Sequence, residues 1–250
     1  MIIPDAIGHG RSSKPSDGLR AKFPHYGYND IVEAEHTVIT EGLGVNHLRL
    51  VSGLSMGGMQ TWLWGEKYPD LMDALLPIAS QPVRIVGRNF LWRRLITEGI
   101  KNDADWQDGN YEKQPTRWRT VLPILQIMLN SPTQSQNSAS TQEASEALFN
   151  RWVAFGNTVD ANDFLYAWSS SSDYDPAPSL SMIKAKLLAV NFADDLANAV
   201  EIGVMEPALS RVANGRSVTI ARTDQSFAHF NYFFPEMWKP YLIELLKPQP

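Results

Sequence analysis

One five-residue stretch, Gly53-Leu54-Ser55-Met56-Gly57, constrains this chain more than any other. It follows a short apolar run, Leu48-Arg49-Leu50-Val51-Ser52-Gly53. It precedes a helical pattern from Met56 to Tyr68 that Pro69 ends. A strand, a sharp turn and a helix therefore meet at one serine, the setting in which a G-x-S-x-G pattern carries chemistry. So sharp a turn forces Ser55 into a strained backbone, and side chains beside it would collide with strand and helix. The glycines at 53 and 57 read as relief of that collision. The Ser55 hydroxyl would then stand at a helix N-terminus, where developing negative charge is favoured, with the Met56 N–H as one oxyanion donor.

A serine hydroxyl is a weak nucleophile unless a base takes its proton, and the base needs an orienting acid. His229, in the loop Ser226-Phe227-Ala228-His229-Phe230, is the only histidine after residue 47. Asp194 and Asp195 lie between Ser55 and His229, just past the apolar run Lys186 to Val190, where acids of an open α/β sheet converge on a site. Either could be the acid, and Asp195 is preferred. The other histidines read as structural: His9 in a Gly8-His9-Gly10 turn, His25 in a loop, His36 on a helix and His47 at a strand start. No pair has metal-ligand spacing, so neither a metal nor a cofactor is expected. Trp92-Arg93-Arg94 could meet an anionic or aromatic substrate, or simply form a helix face bonded to carboxylates.

Apolar runs alternate with helical patterns over the first eighty residues, the signature of a mostly parallel sheet. Ile2-Ile3 reads as a strand ended by Pro4. A helix is expected from Asn29, as N-cap, to Leu43, and a strand around Ala74 to Ile78. From about Val83 to Ser179 the pattern turns helical, with five of the eight tryptophans between Trp92 and Trp168. The Ser/Gln/Asn stretch from Asn130 to Gln142 reads there as a flexible connection. Alternation then returns with a helix around Val200 to Val212, a strand Ser217 to Ala221 and a last helix Pro235 to Leu246. The division expected is a core (1–82), a helical cap or lid insertion (83–179) and the rest of the core (180–250). An insertion of that length needs structure of its own.

Composition closes off other classes. With 250 residues the chain can bury a sizeable core, and with Cys 0 it has no disulfide, thiolate metal site or cysteine nucleophile. A net charge of −5 argues against a nucleic-acid partner. Neither a long apolar span nor a leader-like start is present, so no membrane is expected and the reading is cytoplasmic.

The motifs Ser55-Met56-Gly57-Gly58-Met59-Gln60, Glu66-x-Tyr68-Pro69-Asp70, Ile78-Ala79-Ser80 and Asn102-Asp103-x-x-Trp106-x-x-Gly109-x-Tyr111 resemble the α/β-hydrolase superfamily, in its homoserine O-acetyltransferase-like branch. The resemblance covers most of residues 1–245. It implies the α/β-hydrolase fold, a mostly parallel sheet with helices on both faces and a helical cap. By motif position it implies Ser55 as nucleophile, Asp195 as acid and His229 as base, with Ala228 standing where the family has glycine. It also implies that the family's first strands, and the loop giving a second oxyanion N–H, are missing from this chain. An exposed sheet edge would then invite a homodimer.

The function expected is a serine hydrolase cleaving a small ester or thioester through an acyl-enzyme. The alternatives are an O-acyltransferase using acyl-CoA, and a catalytically impaired binding protein. A role in secondary metabolism is a weak implication of the same resemblance.

Overall fold

The computed structural model describes residues 1–247, which fall into two compact units. One holds residues 1–35, 85–128 and 135–173; the other holds 36–84, 129–134 and 174 onward. In chain order the helices are α1 (Tyr28–Thr37), α2 (Met56–Lys67), α3 (Gly87–Lys101), α4 (Leu122–Leu129), α5 (Pro132–Ser138), α6 (Gln142–Ala154), α7 (Ala161–Ser169), α8 (Met205–Leu209) and α9 (Pro235–Leu245).

The second unit is built on a sheet. Strands β1 (Val51–Leu54), β2 (Ala74–Ile78), β3 (Lys186–Phe192) and β4 (Gly215–Ile220) pair in that order, all parallel. Leu54 registers with Ile78, Ile78 with Val190, and Phe192 with Ile220, so the segments leaving all four strands emerge at one edge. β2 is buried throughout and β3 at all but its first residue, which explains their continuous apolar reading. Alternation sorts their side chains. Ala74, Leu76, Ile78, Leu188, Val190 and Phe192 form a core to which α9 adds Leu245, with Met237, Trp238 and Tyr241 packed against it. Leu75 points the other way, against Gly65 of α2, where a Cβ would come within 2.4 Å of its side chain. Helices thus cover both faces, and each fully buried Leu or Ile contributes about 1.5–3 kcal/mol.

In the first unit, polar side chains tie together segments far apart in the chain. Asp103, in the Asn102–Tyr111 motif, accepts from the Trp118 N–H at 2.9 Å, and Trp106 Nε1 donates to Asn162 Oδ1 at 2.8 Å. Asn162 returns a bond to the Gly109 carbonyl, while the Tyr111 hydroxyl donates to Asp160. Residues 1–35 belong to this unit through similar bonds. Ser16 donates to Asp163 from both N–H and hydroxyl, and Tyr166 donates its hydroxyl to the Phe23 carbonyl. Arg93 is half-buried, its guanidinium set between Trp92 and Trp168 with ring centroids 5.0 and 4.9 Å away, and it donates to Asn89 and Ser171. Burial draws its guanidinium below the usual arginine range, opposed by the Tyr28 hydroxyl. Arg93 is therefore a packing element and not a surface carboxylate partner; Arg94 alone fits that role, bonding Glu98 one turn on.

Four local expectations give way. Ile2 and Ile3 lie in no strand and are exposed; a strand exists by pairing, and Pro4 offers no donor. α1 stops at Thr37, followed by one wider turn over Val38–Gly42, and its N-terminus is capped from afar: Asp173 accepts from the N–H groups of Tyr28 and Asn29. The 130–142 stretch contains α5, because Pro132 opens a helix at a position that needs no N–H. Finally, the 200–212 helix is broken: Gly203 takes a left-handed conformation (φ 70°) and only Met205–Leu209 is α-helical. Among the described residues no helix is long and apolar enough to cross a membrane.

Candidate active site

The edge where the four strands end collects the polar residues of the site. Ser55 directly follows β1 and precedes α2. Its φ of 52° and ψ of −110° lie where non-glycine residues are strained, at a cost of about 1–3 kcal/mol. The turn is pinned by the Ser55 N–H donating to the Ile78 carbonyl at 2.8 Å and by the Met59 N–H donating back to the Ser55 carbonyl at 2.9 Å. A Cβ at Gly53 would lie 2.2 Å from the Gly57 backbone, so the collision expected there is real. The second glycine that the turn requires is Gly58 rather than Gly57. A Cβ at 58 would meet the Ile78 carbonyl oxygen at 2.6 Å, whereas one at 57 meets no atom within 4 Å. Met56 opens α2, so its N–H has no acceptor within the helix.

Asp195 follows β3 and is 1% exposed. Its Oδ1 accepts from the Ala197 N–H at 2.8 Å and the Asn198 N–H at 3.2 Å, and its Oδ2 from Asn198 Nδ2 at 2.9 Å. Burial opposes its ionisation, but the facing His229 imidazole, the Asn198 amide and the Ala197 N–H outweigh burial and hold the carboxyl below the usual carboxylate value. An ionised carboxylate only accepts, so the 2.7 Å contact between Asp195 Oδ2 and His229 Nδ1 places the imidazole proton on Nδ1. Nε2 is left as an acceptor, and it lies 2.7 Å from Ser55 Oγ. Ser55, His229 and Asp195 thus stand in one hydrogen-bonded line, with His229 3% exposed. Asp194 takes no part in that line; it accepts instead from the Ala228 N–H and Asn231 Nδ2.

Two neighbours escaped sequence reasoning. Asn198 spends one amide hydrogen on Asp195 and the other on the Ala79 carbonyl at 2.9 Å, fixing the Asp195 carboxylate to the end of β2. Tyr232 sets its ring edge-on to His229, at 5.2 Å and 87°. Burial, helped by the Asp195 charge, pushes its phenol up to about 12, so it stays neutral beside the imidazole. The other histidines are engaged elsewhere: His9 with the Ile7 carbonyl, His25 stacked on Tyr166, His36 stacked on Tyr68 and His47 bonded to Asp73. Among the described residues no three His, Asp or Glu side chains gather as a metal ion would need.

A parallel sheet with helices on both faces, carrying a strained serine between a strand and a helix, defines a fold family. Residues 1–195 match the sequence profile of the alpha/beta hydrolase fold, and the chain belongs to that family. Within it the chain is similar to the homoserine O-acetyltransferase branch and to ester hydrolases. It is 29% identical over 217 residues to an ethyl acetate hydrolase of Pseudomonas veronii, an alignment covering 78% of this chain and 61% of that protein. A homoserine O-acetyltransferase of Methanohalobium evestigatum is 26% identical over 239 residues, covering 84% of this chain and 47% of that enzyme. The chain thus spans about half to three-fifths of the length of these curated relatives. Among solved structures, the acetyl esterase MekB superposes with a TM-score of 0.82 at 25% identity, over 96% of this chain and 75% of that one. The homoserine O-acetyltransferase from Bacillus anthracis shares the fold, with a TM-score of 0.83 at 18% identity, over 96% and 71% of the two chains.

Proposed function

We propose that this chain cleaves a small ester or thioester through a covalent acyl-enzyme on Ser55. The observation that carries the reading is the unbroken line of two 2.7 Å contacts from Asp195 through His229 to Ser55. Ser55 Oγ attacks the acyl carbonyl while His229 Nε2 takes its proton. The tetrahedral oxyanion faces the Met56 N–H and the N-terminus of α2, where a preorganised donor is worth about 2.7–4 kcal/mol. Collapse breaks the bond to the leaving alcohol or thiol, which takes the proton from Nε2. A water then gives its proton to Nε2 and attacks the acyl-enzyme; collapse of the second tetrahedral intermediate breaks the bond to Ser55 Oγ, which takes the proton back from Nε2, and the acid is released. Asp195 keeps the Nδ1 proton in place and stabilises the imidazolium formed twice per turnover.

The chemistry needs no cofactor. The similarity to an ethyl acetate hydrolase supports a short acyl group and water as the acceptor. A second reading, acyl transfer from acyl-CoA to an alcohol such as homoserine, is favoured by the similarity to homoserine O-acetyltransferases. Product analysis with a labelled acyl donor, with and without homoserine, separates the two. Free labelled acid in both conditions supports hydrolysis; labelled O-acyl product formed at the expense of acid supports transfer.

A further inference from the structure

The two adjacent carboxylates after β3 divide the work of holding His229. Asp195 holds the ring. Asp194 holds the backbone that carries it, and we propose that Asp194 and Asn231 form a clamp that positions the base. His229 follows Ala228, which is buried and sits at φ 54°, in the left-handed region that an L-residue enters only at a steric cost. Something must over-determine that conformation. The Ala228 N–H donates to Asp194 Oδ2 at 3.1 Å, and Asn231 Nδ2 donates to Asp194 Oδ1 at 3.0 Å. Asn231 Oδ1 in turn accepts from the Phe227 N–H at 2.7 Å. Asn231 is 1% exposed. The bonds therefore close a ring from β3 to residues 227, 228 and 231, enclosing His229 on both sides. Because Asp194 and Asp195 are consecutive, any shift of the loop against one is a shift against the other. Asp194 and Asn231 touch no reacting atom, so they are positioning residues. The inference rests on the acyl-transfer reading for its effect on rate.

The ring has a donor–acceptor polarity that an exchange of residues preserves. In Asp194→Asn alone the new amide faces the Ala228 N–H and the Asn231 amide, and one of the two bonds must be lost. In the double variant Asp194→Asn/Asn231→Asp, the amide at 194 accepts from the Ala228 N–H and donates to the carboxylate at 231, which still accepts from the Phe227 N–H. Single-turnover labelling of Ser55 by a fluorophosphonate and steady-state hydrolysis of p-nitrophenyl acetate provide the rates. The single variant should lower kcat and the labelling rate about 10–100-fold, the scale of a small misplacement of a catalytic group, with KM changed less than about threefold. The double variant should recover most of the loss. A folded single variant at full rate, or a folded double variant no faster than the single, overturns the clamp; if the single variant does not fold, the double variant decides alone. A readout free of turnover is the low-field NMR signal of the His229 Nδ1–H. It should broaden in the single variant and sharpen again in the double, and an unchanged signal in the single variant would also overturn the clamp. Should wild type label no faster than Ser55→Ala, the acyl-transfer reading fails, while the proton signal still judges the clamp.

Discussion

The Ser55 turn and the His229 loop arrive at the same sheet edge, and each is strained, with φ 52° at Ser55 and 54° at Ala228. They are held by different forces. Beyond its two backbone hydrogen bonds, the serine turn is fixed by steric fit: backbone passes so close to backbone that Gly53 and Gly58 have no room for a methyl group. The histidine loop is fixed by polar side chains, Asp194 and Asn231 on its backbone and Asp195 on its ring. Steric fit makes a site intolerant of added volume. Hydrogen bonds make it intolerant of lost or inverted donors, often with little change in packing. The two halves should therefore fail in different ways.

The largest effect is expected on the polar side. Asp195→Asn keeps the volume but lets Nδ1 of His229 lose its acceptor, and kcat should fall about 10³–10⁴-fold with little change in Tm. A loss under tenfold would mean that the acid is not Asp195. On the steric side, Gly53→Ala should lower stability by about 1–3 kcal/mol or more and activity together with it, because a Cβ would press into the Gly57 backbone. Gly57→Ala meets no atom within 4 Å, lies in α2 at a φ that alanine adopts, and should be neutral or stabilise by up to about 1 kcal/mol. Urea unfolding of the pair checks this, and equal costs would break the comparison. A pH-dependent effect concerns Glu66, on the helix that carries the serine turn. Its Oε1 is buried without a partner, and burial, with a contribution from Asp175, pushes its carboxyl up to about 8 against Arg211. A folded-state value above the unfolded one, about 4.3, gives stability that is full below that pH and lost as pH rises through about 8. Glu66→Gln should flatten the fall in stability between about pH 5 and 8. An unchanged slope in urea melts at pH 5, 7 and 9 would contradict it.

The same contrast governs how much was legible in the sequence. Ala74 to Ile78 and Lys186 to Val190 declare themselves as strands because burial on both faces demands unbroken apolar runs, and Ser55 because its turn demands glycines nearby. Sterics act between neighbours in the chain, so they leave a local pattern. Asp173, capping α1 from more than 140 residues away, leaves none. Neither does the partition of labour between Asp194 and Asp195: two identical residues side by side are told apart only by where Ala228, His229 and Asn231 come to rest. For the same reason Arg93 reads as a surface cation until Trp92 and Trp168 close around it.

The proposed reaction stands or falls with Ser55 as a nucleophile activated by His229. Labelling by a fluorophosphonate probe tests it most directly, on wild type, Ser55→Ala and His229→Ala protein at equal concentration. Wild type should label stoichiometrically at Ser55, Ser55→Ala not at all, and His229→Ala at a rate slower by about 10³-fold or more. Wild-type protein that labels no better than Ser55→Ala, or His229→Ala that labels at the wild-type rate, would contradict it.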